Sequence, residues 1–379
     1  MNHKSLSDYE RGLYSQLNGE SISFLRRRYN KTTRWVIADM TRRSAYRYPD
    51  KAAIIFKDIT LTYSQLESAC NRFANGLISL GLEKYDRVAI LAHNTVHHVI
   101  TWLGTAKAGG VYLAVNYLLR GKEISYCINH SEAKVFVVED SLYELVRDVI
   151  DDMPGVKTLI WSNQGDGSPA SPGFLDFDAW YKQFPDAEPD VELHIEDTVQ
   201  MTYTSGTESL PKGVVLNNQS LIAEYMSCII DGQYTPEDVN INALPLFHCA
   251  QRDVFLTPCL WTGSTNILLF QADPVAIMDN VQKHGITMLF APPTVWIGLL
   301  RHPLFDKYDL SSIKKGYYGA SIMPVEVLKE LQRRLPNCSN FYNYYGQTEL
   351  SPYHTMLRPA FQLSKPGSAG TAGLHMETR

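Results

Sequence analysis

The chain of 379 residues lacks most of the features that would assign it to a special class. It has no run of about 18 apolar residues, so no transmembrane helix is expected. Its N-terminus, MNHKSLSDYERGLY, carries no apolar stretch behind the first basic residue and does not read as a secretory signal. Positive charge is not in excess: 35 Lys and Arg face 40 Asp and Glu, which gives no global reason to bind nucleic acid. The six cysteines, Cys70, Cys127, Cys228, Cys249, Cys259 and Cys338, never form a C-x-x-C pair. That spacing is poor for zinc or redox chemistry, and buried free thiols in a reducing cytoplasm are the expectation. No repeat recurs at a fixed period. Charged residues at 20% and hydrophobic residues at 45% argue against long disorder, collagen-like sequence or a coiled coil.

What is present is an alternation of helical and strand patterns. The first 50 residues hold ten Lys or Arg against five Asp or Glu, and residues 1–34 read as a basic leader lying solvated along the surface. Thr62 and Gln65 form a capping-box pattern, after which Leu66, Cys70, Phe73, Leu77 and Leu80 recur at helical spacing until Gly81. Short apolar runs at 88–91, 111–115 and 135–138 read as strands buried on both faces, separated by a helix ending near Ala108 and another over Gly121–His130. Further strands are expected at 199–203, 241–243, 266–270, 286–290, 313–318 and 341–345. The fold class is therefore α/β, with mostly parallel sheets in two subdomains, 35–161 and 174–352. The Gly/Ser/Pro-rich segment 162–173 is the expected linker or long loop between them.

Strand 199–203 runs directly into Thr204-Ser205-Gly206-Thr207-Glu208-Ser209-Leu210-Pro211-Lys212-Gly213. Hydroxyls, glycines and a lysine supply donors without bulk, which suits a loop wrapping a polyphosphate. It is not a Walker A loop, because five residues separate Gly206 from Lys212 and a glycine follows the lysine. A surface turn rich in Ser and Thr is the plain alternative, although Pro211 before Lys212 fixes the loop more than a solvent turn requires.

This segment resembles the phosphate-loop signature TSGTTGxPKG of the adenylate-forming enzymes, which include acyl-CoA synthetases, nonribosomal adenylation domains and luciferases. Other matches follow in the family's order. Leu61–Leu66 is similar to its LTYxEL segment, 106–112 to KAGGxY, 244–248 to LPLFH, 318–324 to the GGAxxP adenine loop, and 345–349 to YGxTE. The resemblance runs from about residue 35 to the end and is closest to a fatty acyl-CoA synthetase.

It implies activation of a carboxylic acid by ATP and Mg²⁺ to acyl-AMP, followed by transfer of the acyl group to CoA. Thr204, Ser205, Gly206, Thr207 and Lys212 would then hold the β- and γ-phosphates. Tyr345 would pack against adenine within Tyr345-Gly346-Gln347-Thr348-Glu349, with Thr348 on the α-phosphate and Glu349 on Mg²⁺. Gly319, Ala320 and Ser321 would line the adenine and acyl-carbonyl side. Thr204, Lys212, Thr348 and Glu349 are the implied catalytic set. His248 would border the acyl pocket and the ATP entrance; amino-acid adenylating domains place an aspartate in that motif, so a substrate without an amino group is favoured. The acyl wall is expected from Tyr225, Val295, Trp296, Tyr317 and Tyr318, with Gln251 near His248. Core packing explains Val295 and Trp296 equally well. These choices point to a hydrophobic, fatty or similar monocarboxylic acid.

Glu208 departs from the signature and is expected to point away from the γ-phosphate or to meet Mg²⁺ through water. The family's later motifs and mobile C-terminal domain have no counterpart here. Residues 353–379 read as the opening of a small β subdomain, with Leu374, Met376 and Thr378 alternating as in a strand. The chain is thus expected to be the large N-terminal portion of a synthetase, with impaired turnover by itself. An acyl-AMP ligase serving a carrier protein and a non-catalytic nucleotide- or acyl-binding module stay open, as does a homodimer. The cytoplasm is the expected location, with no nucleic-acid partner and no integral membrane segment.

Overall fold

The computed structural model describes residues 31–204, 210–338 and 340–378. After a helix at Met40–Arg47 comes an antiparallel hairpin, β1 (Ala52–Phe56) and β2 (Ile59–Thr62). It then builds a seven-stranded sheet from β3 (Arg87–Leu91), β4 (Val111–Ala114), β5 (Ala133–Glu139), β6 (Thr158–Ser162), β7 (Leu175–Asp176), β8 (Thr198–Thr204) and β9 (Lys212–Asn217). The spatial order is β7-β6-β5-β3-β4-β8-β9, and only β9 runs antiparallel to its neighbour. The chain next returns to the hairpin through β10 (Val239–Asn242), β11 (Thr265–Leu268), β12 (Met288–Phe290), β13 (Lys315–Gly319), β14 (Asn340–Gly346), β15 (Tyr353–Leu357) and β16 (Thr371–Ala372). These complete a nine-stranded sheet in the order β16-β15-β14-β13-β12-β10-β11-β1-β2, parallel from β14 to β1 and antiparallel at both edges.

Local sequence explains the elements that frame the core. The helix Tyr63–Ser79 starts at a complete capping box: the Thr62 side chain accepts from the Gln65 N–H and the Gln65 side chain accepts from the Thr62 N–H. All twelve residues of the helix Val96–Lys107 are buried, as expected of a helix that is mostly apolar around its circumference. Its one charged side chain, Lys107, is neutralised by Glu67 at 2.9 Å.

The two halves do not divide where composition suggested. Segment 162–173 joins β6 to β7, which pair in parallel within one sheet (Ile160 with Leu175). It is also anchored: the Asp140 carboxylate accepts from the N–H groups of Gly165, Asp166, Gly167 and Ser168 at 2.7 to 3.2 Å. The hairpin at 52–62 belongs to the later sheet. β15 and β16 extend that same sheet, and the strand expected at 374–378 is a turn closed by Met376 N–H to Gly373 C=O. Residues 1–30 of the basic leader lie outside the described residues. Arg34 and Arg42 are not solvated charges, since both pair with the buried Asp39 at 2.8 and 3.0 Å. All six cysteines are free and buried, and no helix among the described residues is long and apolar enough to cross a membrane.

Candidate active site

In the nine-stranded sheet the chain leaves β10 towards β11 on one side, whereas β12 adds on the other. That reversal opens a crevice beyond the carboxyl ends of β10 and β12, the place where open α/β sheets bind ligands. A cavity of about 340 Å³ lies there. Its lining comes from the segment after β10 (His248, Cys249, Ala250, Val254, Phe255), from the ends of β12 (Phe290), β13 (Gly319, Ala320) and β14 (Tyr344–Thr348), and from Pro352 and Tyr353. Seven residues anticipated from sequence thus converge on one space: His248, Gly319, Ala320, Tyr345, Gly346, Gln347 and Thr348.

The floor is aromatic. Phe255 stacks on Phe290 with ring centroids 4.3 Å apart, and Tyr344 meets Phe255 at 5.7 Å and Tyr353 at 4.9 Å. The mouth is polar. Tyr345 is 44% exposed, and its hydroxyl accepts from Gln347 Nε2 at 3.0 Å. A half-exposed aromatic at a cavity mouth offers a stacking face for a planar ligand. Thr348 Oγ1 lies 3.3 Å from Cys249 Sγ. Burial pushes the Cys249 thiol up to about 12, which disfavours its thiolate form. His248 is exposed on one side. The Ala250 N–H donates to its Nδ1 at 3.2 Å, which requires that nitrogen to be unprotonated. Desolvation of the ring and the charge of Arg252 lower its pKa, outweighing the pull of Asp253.

Backbone geometry fits the glycines to their places. A Cβ on Gly319 would lie 2.5 Å from the Tyr344 carbonyl oxygen, and one on Gly346 1.9 Å from that of Pro352. Ala320 sits in the left-handed region at φ 65°, a strained setting for a residue with a Cβ.

Thr204 ends β8 opposite Lys212, the first residue of β9, in antiparallel register, and Lys212 is exposed. Ser205, Gly206, Thr207 and Glu208 lie outside the described residues. Glu349 and Ser321 are exposed near the cavity but not on its wall.

The residues anticipated as the acyl wall do not line this cavity. Strand alternation turns Tyr318 to the opposite face of the sheet from Tyr317, and Tyr318, Trp296 and the half-buried Val295 pack in the core of that face. The Tyr318 hydroxyl donates to Gln362 Oε1 at 2.6 Å and Trp296 Nε1 to the Tyr317 carbonyl at 3.0 Å. Tyr317 lies buried beneath the cavity floor, its hydroxyl donating to the Gly232 carbonyl at 2.7 Å. Tyr225 and Gln251 are fully buried in a polar network behind the cavity; the Tyr225 hydroxyl donates to Asp253 Oδ1 at 3.2 Å. Sequence reasoning did not single out Val254, Phe255, Phe290, Tyr344 and Tyr353, which line the cavity. The switch-point rule applied to the expected strands at 241–243 and 286–290 was the available signal for Phe290.

The AMP-binding enzyme family matches residues 41–379. The chain belongs to that family. Similar AMP-binding enzymes include a long-chain-fatty-acid–CoA ligase of Bacillus subtilis (strain 168), 29% identical over 90% of this chain and 64% of that protein. Another is 4-coumarate–CoA ligase 3 of Arabidopsis thaliana, 28% identical over 84% of this chain and 58% of that protein. The chain thus spans about three-fifths of the length of these curated relatives. Among solved structures, the inhibitor-bound N-terminal domain of FACL13 from Mycobacterium tuberculosis superposes with a TM-score of 0.81 at 26% identity, covering 89% of this chain and 82% of that one. The anthranilate CoA ligase AuaEII in complex with anthranoyl-AMP shares the fold, with a TM-score of 0.83 at 20% identity over 90% of this chain and 64% of that one.

Proposed function

We propose that this AMP-binding enzyme activates a hydrophobic monocarboxylic acid with ATP and passes the acyl group to CoA. The observation that carries this reading is the switch-point cavity, where an aromatic floor suited to an apolar acid meets a polar mouth suited to a nucleotide. Its volume of about 340 Å³ is near the lower end of the range of about 300–1,000 Å³ for small-molecule sites, which favours a compact acid. Phe255, Phe290, Tyr344 and Tyr353 would hold the acyl group, and among the described residues no Lys or Arg on the wall invites a second carboxylate.

The substrate carboxylate oxygen attacks the α-phosphorus of ATP, and the bond to pyrophosphate breaks. The CoA thiolate then attacks the acyl carbonyl and AMP leaves. No protein nucleophile is required, so the side chains act by position and charge. Tyr345 stacks on adenine, Thr348 bonds the α-phosphate, and Gly319, Ala320 and Ser321 border the adenine and the acyl carbonyl. Thr204, residues 205–207 and Lys212 hold the outer phosphates. Among the described residues no three His, Cys, Asp or Glu side chains converge on a metal-sized site. An ion carried by the ATP phosphates therefore suits the donor set, with Glu349 the exposed carboxylate to meet Mg²⁺ and the ion supplying charge neutralisation. His248, held neutral, gates the passage between the two ligands without adding charge.

The test is ATP–pyrophosphate exchange against a panel of carboxylic acids. Exchange is expected to require an acid, to be strongest with compact hydrophobic monocarboxylates and to be absent with free amino acids. No acid-dependent exchange by the full-length product that carries this chain would overturn the proposal. Supplying CoA or a phosphopantetheinyl carrier protein to the adenylate then identifies the acceptor, CoA being the expected one.

A further inference from the structure

The segment that carries His248 to the cavity has no ladder of its own. Residues 243–248 lie between β10 and a π-helical stretch at Ala250–Leu256, and Pro245 has no N–H to give. Buried side chains take the place of a ladder. The Leu244 N–H donates to Gln251 Oε1 at 3.3 Å, and the Leu244 carbonyl accepts from Asn94 Nδ2 at 2.8 Å. The Leu246 N–H donates to Asn94 Oδ1 at 2.8 Å, and the Leu246 carbonyl accepts from Arg252 Nη1 at 2.9 Å. All four backbone polar groups of these two leucines are thus bonded by three side chains that are at most 1% exposed.

Those side chains reach in from two parts of the fold. Asn94 follows β3 of the seven-stranded sheet, and its amide also donates to the Asn242 carbonyl at the end of β10. Gln251 is fixed in turn by Asn242 Oδ1, at 2.9 Å from its Nε2. Arg252 is neutralised by Asp253 and donates to Thr202 Oγ1 on β8, two residues before that strand ends at Thr204. One hydrogen-bonded cradle therefore holds the His248 loop and ties it to β8. We infer that Asn94, Gln251 and Arg252 are positioning residues that set the path of loop 243–248 and, through it, the place of His248 at the cavity mouth. The inference adds residues to the proposed reaction and rests on that reading only where turnover is the measurement.

The experiment compares Asn94→Ala, Asn94→Asp and Gln251→Met with the unaltered protein, by amide hydrogen exchange and by steady-state pyrophosphate exchange. Asn94→Ala is expected to speed exchange of the Leu246 amide about tenfold or more, and Gln251→Met to do so for the Leu244 amide, while amides of β3 and β10 keep their protection. Asn94→Asp retains the acceptor for the Leu246 N–H and is expected to preserve protection there. For turnover, Asn94→Ala is expected to lower kcat about tenfold with KM for ATP changed less than about twofold, the pattern of a mispositioned group rather than lost nucleotide binding. Unchanged exchange at both leucines overturns the inference, and so does global unfolding of both Asn94→Ala and Gln251→Met, because the side chains would then be general core supports. If the unaltered protein shows no acid-dependent turnover while the amide pattern appears, the functional reading fails and the positioning role stands.

Discussion

Replacing Gly346 by alanine tests whether the site is built by close backbone approach. The added methyl carbon would lie 1.9 Å from the Pro352 carbonyl oxygen, 2.8 Å from its carbon and 3.2 Å from Tyr353 Cα, whereas ordinary contact begins at 3.4 Å. The obstructing atoms are all backbone, so no rotamer change relieves the clash. Gly346 pairs with Tyr353 across β14 and β15, and the Gln347 N–H donates to that same Pro352 carbonyl at 2.9 Å. Overpacking of about 1–3 kcal/mol, together with about 1 kcal/mol for the strained hydrogen bond, gives a destabilisation of about 2–4 kcal/mol. For a chain of this size that lowers Tm by several degrees, on the scale of about 2–4 °C per kcal/mol seen for somewhat smaller proteins. The relief must come from 347–352, which carries Gln347 and Thr348, so AMP affinity is expected to fall at least about tenfold, or 1.4 kcal/mol. Differential scanning calorimetry and titration calorimetry with AMP measure the two effects. A Tm within about 1 °C of the unaltered protein with AMP affinity unchanged would refute the reasoning.

Three further outcomes are expected. Phe255→Ala removes a fully buried ring from the cavity floor; stability falls by about 3–5 kcal/mol and the preferred acid in pyrophosphate exchange becomes longer, whereas Trp296→Phe on the far face of the sheet leaves acid preference unchanged. Ala320→Gly relieves the left-handed strain at φ 65° and raises stability by up to about 1 kcal/mol in denaturant titration. Burial lowers the His98 pKa from 6.5 to about 3. The unfolded chain therefore binds a proton below pH 6.5 that the folded chain refuses, and the contribution of His98, fully present above that pH, is lost on acidification by about 1.4 kcal/mol per pH unit down to the folded value. His97, also lowered by burial, adds to the same trend. Denaturant titrations at pH 7 and pH 5 measure the slope, and His98→Gln is expected to flatten it.

The periodic signals carried far because they record local physics. The capping box at Thr62, the helix Gly121–His130 and the buried runs at β3, β4 and β5 all appear where spacing placed them. Which sheet each strand joins was not legible, since β1 and β2 are early in sequence yet close the sheet built from residue 239 onward, and that pairing depends on long-range packing. Composition marked the loop at 162–173 but not its place within one sheet, where Asp140, Trp161 and His97 pin it. In the site, motif residues that supply backbone or a cavity face were readable, as with Gly319, Tyr345 and Thr348. The aromatic cavity floor was not, because deciding between the two faces of β13 needs the register of Tyr317 and Tyr318. The cradle around Leu244 and Leu246 was hidden for a similar reason, although Arg252-Asp253 beside the apolar Val254-Phe255-Leu256 marks a buried ion pair once the segment is known to be interior.

The central claim is that acyl group and nucleotide meet in the cavity at the carboxyl ends of β10, β12, β13 and β14. Binding of a hydrolysis-resistant acyl-adenylate, an acylsulfamoyl adenosine with a compact hydrophobic acyl group, tests it most directly by titration calorimetry with AMP as competitor. The account predicts saturable binding that AMP displaces and that both Thr348→Ala and Phe255→Ala weaken about tenfold or more. Binding that AMP fails to displace, or that neither substitution alters, would contradict it.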